Sequence, residues 1–226
     1  MERIIKKLED LKNTKVEKQP PLPTENNVLK TFSIENEPVV ELVNNREREY
    51  TFADLPNIGY STDIDTVMAS SYQVKKQLQQ IVKIEQPITN TLLYKRILRI
   101  WNLTRVTTRL QVFIDSLLED AYKDPLSGDT IIYWEDKEKA KDCDFYRINS
   151  KRDILDIPIL EVMRAARYAK EQQISMPTED LKRLTSQLLG FSRKGNNLDM
   201  VTEHTIQLLI DKGIFSHANG MVSMNN

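Results

Sequence analysis

The chain has 226 residues, 40% apolar and 29% charged, with a formal net charge of −1. That length holds one large domain or two small ones with real cores, and the near-zero charge gives no global pull toward nucleic acid or membrane, so any such signal must be local. The single cysteine, Cys143, excludes a disulfide framework and a cysteine-built zinc site within the chain, and no run approaches the roughly 18 apolar residues of a membrane helix.

The opening MERIIKKLEDL mixes acids with bases and has no long apolar core, so it is neither a signal nor a transit peptide. A cytoplasmic protein is expected. Ile4, Ile5, Leu8 and Leu11 fall at helical spacing and predict an N-terminal helix within residues 1–15. Residues 16–49 carry QPPLPTENN and ENEPVV and predict a linker, with one extended piece near Val39–Val43. A helix followed at once by a linker suits the tail of a longer protein. A packed domain is expected to begin near YTFADLP at residue 50.

From there the periodicity is regular. Val74, Leu78 and Ile81 predict a helix over about 68–84, which Pro87 ends by disfavouring helix at Gln86. Leu93, Ile97, Ile100 and Trp101 predict a second helix over 90–101, and Leu110, Ile114, Leu117 and Ala121 a third over 107–122. YKDPLSGDTIIYW then reads as a hairpin. Residues 136–152 form a charged connector containing DKEKAKDCD. After it the order recurs. Asp156, Ile157 and Pro158 predict a helix start, with Asp156 as the capping acceptor. Ile159, Met163 and Ala166 carry that helix to about 172. Leu181, Leu184 and Leu188 mark the next helix, GFSRKGN a turn, and Leu198, Val201, Thr205 and Leu208 a third helix. IFSHANGMVSM closes as a hairpin around Asn219–Gly220.

Helix, extended piece, helix, turn, helix, hairpin is the order of a winged helix. The expected fold is mainly α with small β-hairpins (α+β), built of two tandem winged-helix-like units over 50–135 and 153–226. The sequence supports the repeat directly. IWNLTRVTTRL (100–110) aligns with LLGFSRKGNNL (188–198) at an offset of 88, matching Trp101 to Leu189, Leu103 to Phe191, Thr104 to Ser192, Arg105 to Arg193 and Leu110 to Leu198.

Charge is placed unevenly. Gln86–Ile114 holds Lys95, Arg96, Arg99, Arg105 and Arg109 and no acid; Leu181–Leu198 holds Lys182, Arg183, Arg193 and Lys194 and no acid. Lys95 and Arg99 lie opposite the apolar face of their helix, toward solvent or a partner. Arg105, Arg109, Arg193 and Lys194 sit at or before the start of each third helix, the element that enters the major groove in a helix-turn-helix. Thr107, Thr108, Asn196 and Asn197 add short polar groups suited to phosphates or base edges. These twelve positions other than Arg96 are the candidate nucleic-acid contacts. The alternative for each is ordinary: exposed Lys and Arg are often merely solvated, and Thr, Ser and Asn at helix starts are often caps. Winged helices also dock proteins, so a docking or self-association role stands beside DNA binding.

Trp101, Phe113, Phe191 and Phe215 occupy apolar positions of the repeat and are expected in the core, whereas Tyr133 or Trp134 could lie at a wing tip. Catalytic signals are thin. No phosphate-binding GxxxxGK[ST] loop occurs, and His204 and His217 are isolated. Asp129, Glu135 and Lys137 imitate a metal-nuclease D…ExK arrangement, but the charged connector accounts for them as well. Cys143, in an acidic loop, is a poor nucleophile. No cofactor is expected.

YTFADLP (50–56), IVKIEQPITNTLLYKRILRIWNLTRVTTRL (81–110), the IIYW and RDILDIP pair (131–134, 152–158) and LLGFSRKGNNL with its following helix (188–211) together resemble the C-terminal domain of unknown function that ends large bacterial superfamily-I helicase proteins. In those proteins the helicase core commonly accompanies a Vsr-like endonuclease domain. The resemblance implies a non-catalytic accessory module of a DNA-processing ATPase, with duplex or forked DNA and the rest of the parent helicase as partners. It brings no site residues. One departure is Asn102, where that family commonly has glycine.

Overall fold

A computed structural model describes residues 46–225 apart from 61, 128–129, 149–151 and 172. The helix expected within 1–15 and the extended piece near Val39–Val43 lie outside the described residues. The chain there is a mixed helix-and-sheet fold of the α+β kind, with eight α-helices and small sheets among the described residues.

The first repeat comprises α1 (Ile64–Ala69), α2 (Ser71–Glu85), β2 (Ile88–Thr89), α3 (Asn90–Ile100), α4 (Thr108–Leu117), β3 (Tyr122–Ser127) and β4 (Thr130–Trp134). The second comprises α6 (Ile159–Glu171), β6 (Ser175–Pro177), α7 (Thr178–Leu188), α8 (Asn196–Asp211), β7 (Phe215–Ala218) and β8 (Met221–Met224). Each has one antiparallel three-stranded sheet in which the hairpin's second strand is central: β2–β4–β3 and β6–β8–β7. Asn219 and Gly220 both take positive φ, at 51° and 75°, as a tight two-residue hairpin turn requires. Between the repeats lie α5 (Lys137–Lys141), β5 (Tyr146–Ile148) and a 3₁₀ turn, Ile154–Asp156. Ahead of them, β1 (Glu47–Glu49) pairs in parallel with β5.

The offset of 88 is a backbone rule. Helix α3 ends on Asn102 at φ +49°, and α7 ends on Gly190 at φ +87°. In each case the very next residue bonds back across the last turn: Leu103 N–H to the Leu98 carbonyl, and Phe191 N–H to the Ser186 carbonyl, both at 3.0 Å. This is a left-handed helix stop, which glycine or asparagine tolerates best. The chain then re-enters helix identically, with Gln111 N–H on the Thr107 carbonyl (3.0 Å) and Asp199 N–H on the Gly195 carbonyl (2.9 Å). Thr107 also caps α4 by accepting the Leu110 N–H at 3.2 Å, while Gly195 offers α8 no side chain.

Core residues follow the helical spacing. Leu78, Ile81, Leu93, Ile97, Ile100, Leu110 and Ile114 are buried in the first repeat, and Met176, Leu181, Ile206, Leu209, Phe215 and Val222 in the second. Each such side chain contributes about 1.5–3 kcal/mol by leaving water. Trp101 and Phe215 are buried; Phe113 and Phe191 are half-buried against the same cores.

Two expectations need correction. Tyr133 and Trp134 are not at a wing tip; both are buried, because β4 is central and covered on both faces. Tyr133 packs against the α3–α4 core, and Trp134 against Ile132, Cys143 and the connector. Asp156 does not serve as the expected cap of α6. It belongs to the 3₁₀ turn, and both its carboxylate oxygens take the Lys95 ammonium at 2.7 Å. A largely buried carboxylate gains more from a cation than from helix α6, whose Pro158 offers no N–H.

A charged core joins the repeats. The Glu85 carboxylate, fully buried at the end of α2, accepts Arg96 Nε at 2.9 Å, the Ala53 N–H at 3.1 Å and the Tyr50 hydroxyl. Behind Tyr50, the Glu161 carboxylate accepts Arg147 Nε at 3.1 Å and Arg152 Nη1 at 2.9 Å. Arg147 also donates to the carbonyls of Glu85 (2.7 Å) and Pro87 (2.6 Å), closing the C-terminal end of α2. Both guanidiniums lie on the Tyr50 ring, Arg152 at 4.1 Å and Arg147 at 5.1 Å. Burial pushes the Glu161 carboxyl up, but the two guanidiniums outweigh it and hold it below its ordinary value.

Candidate nucleic-acid interface

The two corners between α3 and α4 and between α7 and α8 carry most of the sequence-derived candidates. At the first, four cations already have acids, all drawn from segments beyond the acid-free stretch. Lys95 holds Asp156, Arg96 holds Glu85, Arg99 Nη2 lies 3.1 Å from Asp54, and Arg109 Nη2 lies 2.8 Å from Asp65. Arg99 and Arg96 also cover the Phe52 ring, at 4.7 and 4.4 Å. Thr107 is the α4 cap, and Thr108 is exposed on its first turn. Arg105 is exposed and makes no ion pair or hydrogen bond with another described residue.

The second corner is arranged differently. Lys182 is buried, and its ammonium meets Asp199 at 2.6 Å, Glu179 at 3.3 Å and Glu203 at 3.7 Å. Burial alone would lower its pKa; the carboxylates outweigh that and raise it. It is part of the α7–α8 contact. The offset of 88 explains this: Lys182 stands where the first repeat has Tyr94, and Glu203 where it has Asp115, and the Tyr94 hydroxyl donates to Asp115 at 2.8 Å. Arg183 pairs locally with Asp180 at 3.1 Å. Arg193, Lys194, Asn196 and Asn197 are exposed, and none makes a side-chain hydrogen bond or ion pair with a described residue.

Two hollows flank Arg193. One, of about 180 Å³, lies between α7 and α8 and includes Glu179, Lys182 and Asp199 in its wall. The other is an open groove of about 650 Å³ between residues 152–154 and the start of α8, including Arg152, Arg193, Asn196 and Asn197.

The acid-free windows concealed the acids that quench them, since Asp54, Asp65 and Asp156 arrive from elsewhere in the chain. Glu85, Arg147, Arg152 and Glu161 escaped notice too. Their only signal was a charge recurring on an otherwise apolar helix face, as with Glu161 beside Val162 and Ala165.

Asp129 lies outside the described residues; Glu135 is engaged by Lys139 and by Gln86 Nε2 at 3.3 Å. Among the described residues no group of three or more metal-binding side chains occurs. Burial pushes the Cys143 thiol up, away from reactivity. His204 and His217 are exposed. Among the described residues no helix is long and apolar enough to cross a membrane.

Residues 69–112, which run from the end of α1 into α4, match the family described as "Protein of unknown function (DUF3320)". No curated protein and no solved structure matches the chain.

Proposed function

We propose that this chain is a non-catalytic, tandem winged-helix-like module that binds DNA on behalf of a larger cytoplasmic helicase–nuclease. The observation that carries the reading is the repeated helix–corner–helix with a solvent-facing, acid-free cation at the same place in each copy: Arg105 in one, Arg193 followed by Lys194 in the other. Cations before a third helix suit phosphates on either side of a groove that the helix enters. In each repeat the hairpin follows that helix in the chain and its second strand is central to a three-stranded sheet, an order that supports the winged-helix reading. The test is an anisotropy titration against duplex, forked and single-stranded DNA. Binding should fall steeply with salt, as phosphate contacts dictate. Arg105→Glu with Arg193→Glu should abolish it while leaving the melting temperature unchanged. No binding to any of the three substrates at low salt sinks the reading.

A second reading is favoured by a different observation. The outer face of α4 carries Val112, 64% exposed, beside Phe113 and Met68, around a largely apolar hollow of about 370 Å³. Such a patch suits docking onto the parent helicase or a second copy. Sedimentation of the isolated chain, and Val112→Glu in a pull-down with the parent protein, separate this role from DNA binding.

A further inference from the structure

We infer that the hollow between α7 and α8 takes one unpaired nucleotide, with its base between the helices and its phosphate on the turn that holds Arg193 and Lys194. This rests on the DNA-binding reading and names the substrate class within it: forked or single-stranded DNA rather than closed duplex.

The offset of 88 shows where the hollow comes from. Ser186 and Thr202 line it. The matching places in the first repeat are Leu98 and Ile114, and both pack in that repeat's core. Lys194, which also lines the hollow and is exposed, stands where Val106 packs on the same core. The second copy has thus exchanged core-filling side chains for two smaller hydroxyl-bearing ones and an exposed cation. The helix stop, the back-bond of Phe191 and the buried Leu198 are all kept, so the corner itself does not need the exchange. The space is about 180 Å³, far more than the roughly 15 Å³ that one water needs.

The lining suits a base with a phosphate beside it. Phe191 and Leu198 give apolar surface for the face of a ring. Gln187 adds an exposed amide that both donates and accepts, as the edge of a base does. Asp199 and Glu179 hold Lys182 at 2.6 and 3.3 Å, and both are largely exposed, with lone pairs left for the amino group of a base. A phosphate against those carboxylates would be repelled. On the turn it meets Arg193 and Lys194, which no described acid engages. In closed duplex each base is stacked and paired, and entering the hollow would mean breaking both; an unpaired strand presents its bases without that cost.

The experiment uses the full chain at low salt and three labelled DNAs of equal length: a closed duplex, a fork, and the same fork with abasic residues along its single-stranded arm. A thermal melt accompanies every variant. Wild-type protein should bind the fork about tenfold more tightly than the duplex, and the abasic fork, which keeps the arm's phosphates, no better than the duplex. Ser186→Leu restores the first repeat's residue and fills the hollow. It should remove the fork preference and leave duplex affinity within about twofold, with the melting temperature unchanged or raised. Gln187→Ala should reduce the preference several-fold, whereas Arg193→Glu should weaken fork and duplex alike. Equal wild-type affinity for fork and duplex, an abasic fork that binds like the native one, or a folded Ser186→Leu protein that keeps the preference overturns the nucleotide slot and leaves DNA binding standing. The abasic comparison uses wild-type protein and decides the matter even where Ser186→Leu does not fold. Wild-type protein that binds none of the three DNAs overturns both.

Discussion

The two corners share a backbone and little else. Asn102 and Gly190 take the same left-handed stop, Leu103 and Phe191 make the same back-bond, and Leu110 and Leu198 fill the same buried position. Yet one corner has three of its four arginines tied to Asp54, Asp65 and Glu85, with only Arg105 left over, while the other presents Arg193 and Lys194 without acids. The interhelical contact is Tyr94 with Asp115 in one and Lys182 with Glu203 in the other. A repeat thus preserves what the chain needs in order to turn. The side chains around the turn are free to serve different ends.

The largest test breaks what holds the two copies together. Glu161→Ala leaves Arg147 and Arg152 buried without their carboxylate and should cost about 3–5 kcal/mol in urea unfolding. The same residue has a pH signature. Its folded pKa is depressed, so its contribution is present above the ordinary glutamate value of about 4.3 and is lost as pH falls through the folded value. Wild-type stability should therefore drop on acidification, and Glu161→Gln should flatten that limb while lowering stability at neutral pH.

Next in size is the shared stop itself. Gly190→Ala forces a side chain into φ +87° and should cost about 1–2 kcal/mol. Asn102→Gly, at the matching position, should be neutral or stabilising by a few tenths of a kcal/mol, since asparagine already tolerates φ +49°. Equal costs for Gly190→Ala and Asn102→Gly would show that the corners are not equivalent. The remaining effect, smaller than that of Gly190→Ala, is a gain. Gly195 has extended φ and ψ, and a Cβ there meets nothing within 4 Å. Gly195→Thr copies the Thr107 cap and should add about 0.5–1 kcal/mol, read as a rise in melting temperature.

Much of the element order was legible. The helices from α2 to α4 and from α6 to α8, both hairpins and the core positions follow from period-3.6 spacing and turn residues, which act locally. Boundaries were less so: α4 stops at Leu117 rather than near 122, and Pro158 delays α6 to Ile159. Strands β1 and β5 went unseen, because three charged residues, Glu47 to Glu49, carry no alternating pattern. The candidate contacts were legible as residue types but not as free or engaged groups. Lys182 reads like any surface lysine until Asp199 and Glu203 are brought against it.

The sequence by itself determined the repeat, its corners and its core, since caps, left-handed stops and apolar periodicity are read within a few residues. Only the tertiary structure decided which cations remain available. Ion pairing depends on separations of about 3–4 Å between groups distant in sequence, such as Lys95 with Asp156 and Arg109 with Asp65. No count of charges along a window can contain that information. It left Arg193, Lys194, Asn196 and Asn197 as the polar positions at the second corner still open to a partner.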